Sequence, residues 1–146
     1  MVRLVSVSVL ATLMTFACSQ RVAKEDYVAD VNRLCDETRR ELDGYGAALR
    51  DAASVDEVRV AVERGRAIFE RFRDEIAGLE KPVEDRATLD RWLAAIDAVV
   101  DLMRRLEEAT ESGDIGAIDE VVQAAERAQI EGDALATDYG IKACAG

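Results

Sequence analysis

The sequence predicts an all-α protein, an up-down-up-down four-helix bundle that follows an N-terminal signal peptide. Apolar residues recur at alternating three- and four-residue spacing through four successive stretches, the period of a helix with one buried stripe. The composition agrees: one proline (Pro82), 5% aromatic residues and abundant Ala, Leu, Glu and Arg favour helix over sheet. No apolar-polar alternation of useful length interrupts the pattern. At 146 residues the chain is a single-domain length with enough apolar residues to bury a core.

The reading divides the chain into a signal peptide at 1–17, a cysteine and tether at 18–25, and the bundle at 26–146. A first helix is expected from about Asp26 to Ala53, with Tyr27, Val31, Leu34, Cys35, Thr38, Leu42, Tyr45 and Leu49 on its stripe. Gly44 and Gly46 weaken its second half and leave room for a bend or a close neighbour. Ser54-Val55-Asp56-Glu57 is a capping-box pattern, so a second helix starts there. Its stripe runs from Val58 through Ala61, Val62, Gly65, Ile68, Phe69, Phe72 and Ile76 to Leu79, and Lys81-Pro82 ends it.

The third stripe comprises Leu89, Trp92, Leu93, Ile96, Val99, Val100, Met103 and Leu106, and stops near Ser112-Gly113. Asp114 is the expected N-cap of the fourth helix, with Ile115, Ile118, Val121, Val122, Ala125, Ala128, Leu135, Ala136 and Tyr139 facing inward. Gly140 terminates it. Helices of similar length, each about 37 Å, joined by short connections fit antiparallel neighbours in an up-down bundle. Polar outer faces make it a water-exposed bundle rather than a set of membrane spans.

The leader sets the expected address. Met1-Val2-Arg3 gives a short positive region, and Leu4 to Phe16 is an uncharged, mostly apolar run, short for a membrane span. Thr15-Phe16-Ala17-Cys18 follows, then polar Ser19, Gln20 and Arg21. A small residue directly before Cys resembles the lipobox of bacterial lipoproteins. That resemblance implies a diacylglycerol on Cys18 and cleavage before it. Thr15 stands where the family usually has Leu, and Phe16 is bulky for its place. Cleavage after Ala17 by an ordinary signal peptidase, giving a secreted protein, and retention as an uncleaved anchor are the alternatives.

Cysteine parity bears on the choice. An exported protein tends to pair its cysteines, and pairing Cys35 with Cys144 leaves Cys18 free for lipid. In an up-down bundle the end of helix 4 returns to the end where helix 1 began. A tail folding back a short way along helix 1 brings Cys144 to Cys35; two unpaired buried cysteines are the alternative.

The residues for chemistry are missing. The chain has no histidine, which removes His-based triads and the Glu-x-x-His ligands of di-iron bundles. Met103 on an apolar stripe reads as core rather than as a haem ligand. The cysteines are too scattered for zinc. Asp36-Glu37, Glu107-Glu108 and Asp119-Glu120 are adjacent helical residues that point apart, and so read as solvated surface. The turn at Glu111-Ser112-Gly113-Asp114 lacks the alternating ligands of a calcium loop. No phosphate loop, nucleophile elbow or dinucleotide fingerprint occurs. No catalytic residue, metal site or cofactor is therefore expected. Trp92 is read as core, and as the first candidate for binding if it proves exposed.

The net charge of −11 repels nucleic acid and anionic headgroups, so nucleic-acid binding is not expected. A solvated acidic surface that keeps an exported chain soluble accounts for it.

The Cys18 leader, the helix-1 cysteine in Val31-Asn32-Arg33-Leu34-Cys35, and the terminal Tyr139-Gly140-Ile141-Lys142-Ala143-Cys144 resemble small secreted or lipid-anchored helical proteins of actinobacteria. The resemblance implies the same address and disulfide, and no reaction. The expectation is a non-enzymatic cell-envelope lipoprotein, tethered to the membrane through Cys18, acting as a binding or scaffolding module for an envelope protein partner. The alternative is an extracytoplasmic carrier of an apolar small molecule or lipid. Small stripe residues (Ala61, Gly65, Ala125, Ala128, Gly132) leave room for a cavity or equally for close helix packing.

Overall fold

The computed structural model describes residues 22–145, so the leader and Cys18 lie outside the described residues. Four helices follow one another: α1 (Lys24–Asp51), α2 (Val55–Gly78), α3 (Arg86–Ser112) and α4 (Ile115–Tyr139), with a short 3-10 turn at Val83–Asp85 before α3. The all-α bundle expected from the sequence is the fold. α1 starts at Lys24 rather than Asp26, with Ala23 as a cap that lends no side chain.

Local chemistry places the ends. Ser54 Oγ accepts the amide of Glu57 at 3.2 Å, while Glu57 Oε2 accepts the amide of Ala53 at 2.6 Å. The Ser54 side chain thus satisfies one of the orphan donors at the start of α2, and Glu57 reaches back past the N-cap to fix the incoming chain at Ala53. Asp114 does the same for α4, accepting the amide of Ala117 at 3.0 Å. Gly113 (φ 69°) and Gly140 (φ 100°) close α3 and α4 in the left-handed region that suits glycine.

α1 packs on α2, α2 on α3 and α3 on α4. Ion pairs lace the α2–α3 seam: Arg66 to Glu107 (2.6 Å), Arg73 to Asp97 (2.6 Å) and Arg104 to Glu70 (3.1 Å). Each is partly exposed and adds little energy, but together they favour one register. The fourth seam differs. Among the described residues, the Cα traces of α1 and α4 come no closer than 8 Å anywhere, and no ion pair joins them. The bundle is open along one edge.

The tail closes the lower end of that edge. After Gly140 the chain turns back, with the Ile141 amide donating to the Ala136 carbonyl at 2.8 Å. Ile141 is fully buried among Tyr27, Val31, Leu34, Ile76, Leu89, Trp92 and Tyr139. The Ala143 amide donates to Asn32 Oδ1 at 2.9 Å, and Arg39 donates to the Ala143 carbonyl. Cys144 then reaches Cys35 with a Cα–Cα distance of 5.2 Å, within disulfide range.

The inward faces match the sequence reading over most of the bundle. Ile115 and Val122 are corrections: both are exposed, Ile115 at 75%. Near its start α4 carries a wider apolar arc than one partner helix can cover, because α1 is not there to bury the second side. Leu102, Ala109 and Thr110 are buried although they were outside the expected stripe. At Gly65 the structure takes the close-packing alternative. A Cβ there would lie 2.7 Å from the Tyr45 ring and 3.1 Å from Met103 Cε, so the glycine admits the tyrosine and leaves no cavity.

Two tyrosines pack edge to face at the base, Tyr27 and Tyr139, with centroids 6.2 Å apart. Tyr139 donates to Asp85 Oδ2 at 2.8 Å, and the Lys24 ammonium sits 4.1 Å from its ring centre. The Tyr27 hydroxyl is buried without a partner among the described residues. Burial, with Asp90 nearby, raises its pKa to about 12. Burial and then the bond to Asp85 raise that of Tyr139.

Both hydroxyls therefore keep their protons at a pH where the unfolded chain has lost them. Their contribution is complete below the unfolded value near 10 and is lost as pH rises through the folded value, about 12 for Tyr27. Urea unfolding across that range should show stability falling by about 2–3 kcal/mol from Tyr27 alone. Tyr27→Phe should flatten that part of the decline and change neutral-pH stability by less than about 1 kcal/mol.

Candidate functional site

The open edge between α1 and α4 forms a cleft of about 310 Å³ in the middle of the bundle. Its depth is set by α2 and α3, which contribute Phe69, Phe72, Trp92, Ile96, Val99 and Met103. These come from the inner stripes of the two helices that pack tightly in the usual way. What keeps the cleft open is α4, whose facing residues are Ala125, Ala128 and Gly132. Short side chains there leave the space that Leu or Phe would fill. A Cβ on Gly132 would first meet Ala95 Cβ at 3.9 Å, an ordinary contact with room to spare.

The lower wall is the Cys35–Cys144 pair with Ala143. The Cys35–Cys144 pair, at disulfide distance, thus sits where the tail bounds the cleft. Arg39 on α1 and Gln129 and Asp133 on α4 stand at the mouth, the helices to which they belong being the two lips. Asp133 is half-buried and has no hydrogen-bonding or ion-pair partner among the described residues. Arg39 is exposed and is held by the Ala143 carbonyl, with no carboxylate partner.

Of the small residues singled out in the sequence, the structure brings Ala125, Ala128 and Gly132 to the cleft and takes Ala61 and Gly65 elsewhere. Ala61 borders a shallow depression between α1 and the start of α2, with Ala48, Asp56 and Val60. Trp92 is 4% exposed and also lines the cleft, so the core and binding readings of that residue meet at one place.

Known proteins offer no guide: the chain matches no family model, no curated protein and no solved structure.

Chemically, the cleft presents apolar and aromatic surface with one cation, one anion and one amide at its rim. Among the described residues no three His, Cys, Asp or Glu side chains gather to hold a metal. Nor is any described helix long and apolar enough to cross a membrane.

Proposed function

We propose that this chain is a non-enzymatic binding module of the cell envelope, anchored outside the membrane through lipid on Cys18, and that its cleft carries an apolar molecule. One observation carries the reading. An up-down bundle with four amphipathic helices would gain stability by closing its fourth seam. Here that seam stands open over aromatic residues, at the lower end of the size range of small-molecule sites.

The anchor fits this use. Cys18 lies six residues before Lys24, the start of α1. Cys35, where the cleft begins on α1, is about 16 Å further along the helix. A lipid on Cys18 would hold the base of the bundle near the membrane and the cleft within reach of molecules leaving it. An envelope protein partner would use the same cleft for an apolar side chain, and this is the second reading.

Trp92 is the single tryptophan of the chain, so its emission reports the cleft directly. Titration with an uncharged apolar dye should give saturable quenching. Ala128→Phe, which fills the cleft from an edge helix, should abolish it while the helical circular-dichroism signal stays unchanged. Dye uptake that survives Ala128→Phe would remove the cleft from the proposal. For the anchor, the intact mass of membrane-extracted protein should show a diacylglyceryl increment with cleavage before Cys18. Cleavage after Ala17 without the increment would replace the anchor by secretion.

A further inference from the structure

We infer that the occupant of the cleft is a single-chain zwitterionic amphiphile, of the kind that carries a phosphate and an ammonium on one acyl or alkyl chain. The inference rests on the binding reading above and adds the ligand's size and head group.

Size limits the tail. The cleft holds about 310 Å³, roughly twice an engineered cavity that takes benzene. One hydrocarbon chain fits beside Phe69, Phe72 and Trp92; the two chains of a diacyl lipid do not.

Charge selects the head. Six arginines (33, 59, 66, 71, 73 and 104) are paired with carboxylates on the outer faces or helix seams. The two charges at the cleft are not; eight of the fourteen described arginines share that state, and what marks Arg39 and Asp133 is their place on facing lips of the open seam. Arg39 spends one of its N–H groups on the Ala143 carbonyl, and a guanidinium has five to give. Asp133 is half-buried with no cation beside it, an arrangement that favours a positive ligand group in its place. One lip thus offers a donor cation and the other an acceptor anion, over an apolar floor. An anionic chain would satisfy Arg39 and be repelled by Asp133; a cationic chain would meet the reverse. A zwitterion satisfies both, with its phosphate toward α1 and its ammonium toward α4.

The test uses the exported chain carrying Cys18→Ser, so that no lipid of its own competes. Trp92 emission is titrated with four decyl amphiphiles below their micellar concentrations: decylphosphocholine, decanoate, decylammonium and decanol. The phosphocholine should bind about fivefold more tightly than any of the other three, the scale of partly exposed charge pairs. Asp133→Asn should weaken decylphosphocholine and decylammonium and strengthen decanoate. Arg39→Gln should weaken decylphosphocholine and decanoate and strengthen decylammonium. A purely structural role for Arg39, as a holder of the tail, would weaken all four alike and overturn its part in head-group binding. Equal binding of the four chains, or preference for decanol, overturns the zwitterion while leaving an apolar cleft. Saturable binding of none of them overturns the binding reading itself.

Discussion

Replacing Cys35 and Cys144 together by alanine is expected to lower the unfolding free energy by about 4 kcal/mol. The pair closes a loop with a sequence separation of 109; chain-entropy reasoning gives an upper figure of about 4.8 kcal/mol for a loop of that length, and native disulfides typically contribute about 2–5 kcal/mol. Against a total stability of roughly 5–15 kcal/mol for a domain of this size, the loss is large enough to read in a single urea titration. The non-covalent hold on the tail sets how the loss appears. Ile141 stays buried and Asn32 still accepts the Ala143 amide, so helical content in water should remain near that of the parent. The cleft should loosen nonetheless, because Cys144 and Ala143 form its lower wall. A midpoint unchanged by the double replacement would mean that the cysteines are not paired in the folded protein.

Ile141→Ala is expected to cost about 3 kcal/mol, as much as a residue in the middle of a core helix. The side chain is wholly buried, yet it sits beyond the end of α4, on the tail that follows Gly140. Ile130, on α4 itself, is the control: it is 70% exposed, and Ile130→Ala should change stability by less than about 0.5 kcal/mol. The two changes invert what chain position alone would suggest. Because Ile141 and Cys144 hold the same tail, combining Ile141→Ala with the cysteine replacements should depart from additivity. The departure measures how far each depends on the other.

The legible parts of this protein share a physical cause. Helix stripes, the Ser54 and Asp114 caps and the Gly113 and Gly140 stops all depend on residues within a few positions of one another. A sequence displays such relations directly. Pairing of Cys35 with Cys144 was legible for another reason, since parity and an up-down topology together leave few partners. The α4 stripe was less so. Ile115 and Val122 fit the period as well as Val121 does, and only the absence of a neighbour on that side exposes them.

The site was half legible. Ala125, Ala128 and Gly132 stood out as small residues on an inward face, as did Ala61 and Gly65. Nothing local separates the two groups. At Gly65 a long-range neighbour, Tyr45, fills the space; opposite Ala128 no such side chain arrives. Arg39 and Asp133 could not be found from the sequence, because only the fold puts these two charges on facing lips of one cleft. Ile141 was passed over as tail.

The sequence by itself determined four amphipathic helices in antiparallel order and most of their ends. Tertiary structure decided that the fourth seam stays open, that the tail seals only its lower end, and which small residues border empty space. The division follows from range: hydrogen bonds and caps are fixed within a turn or two of helix. A cleft is fixed by the distance between α1 and α4, which no stretch of chain encodes alone.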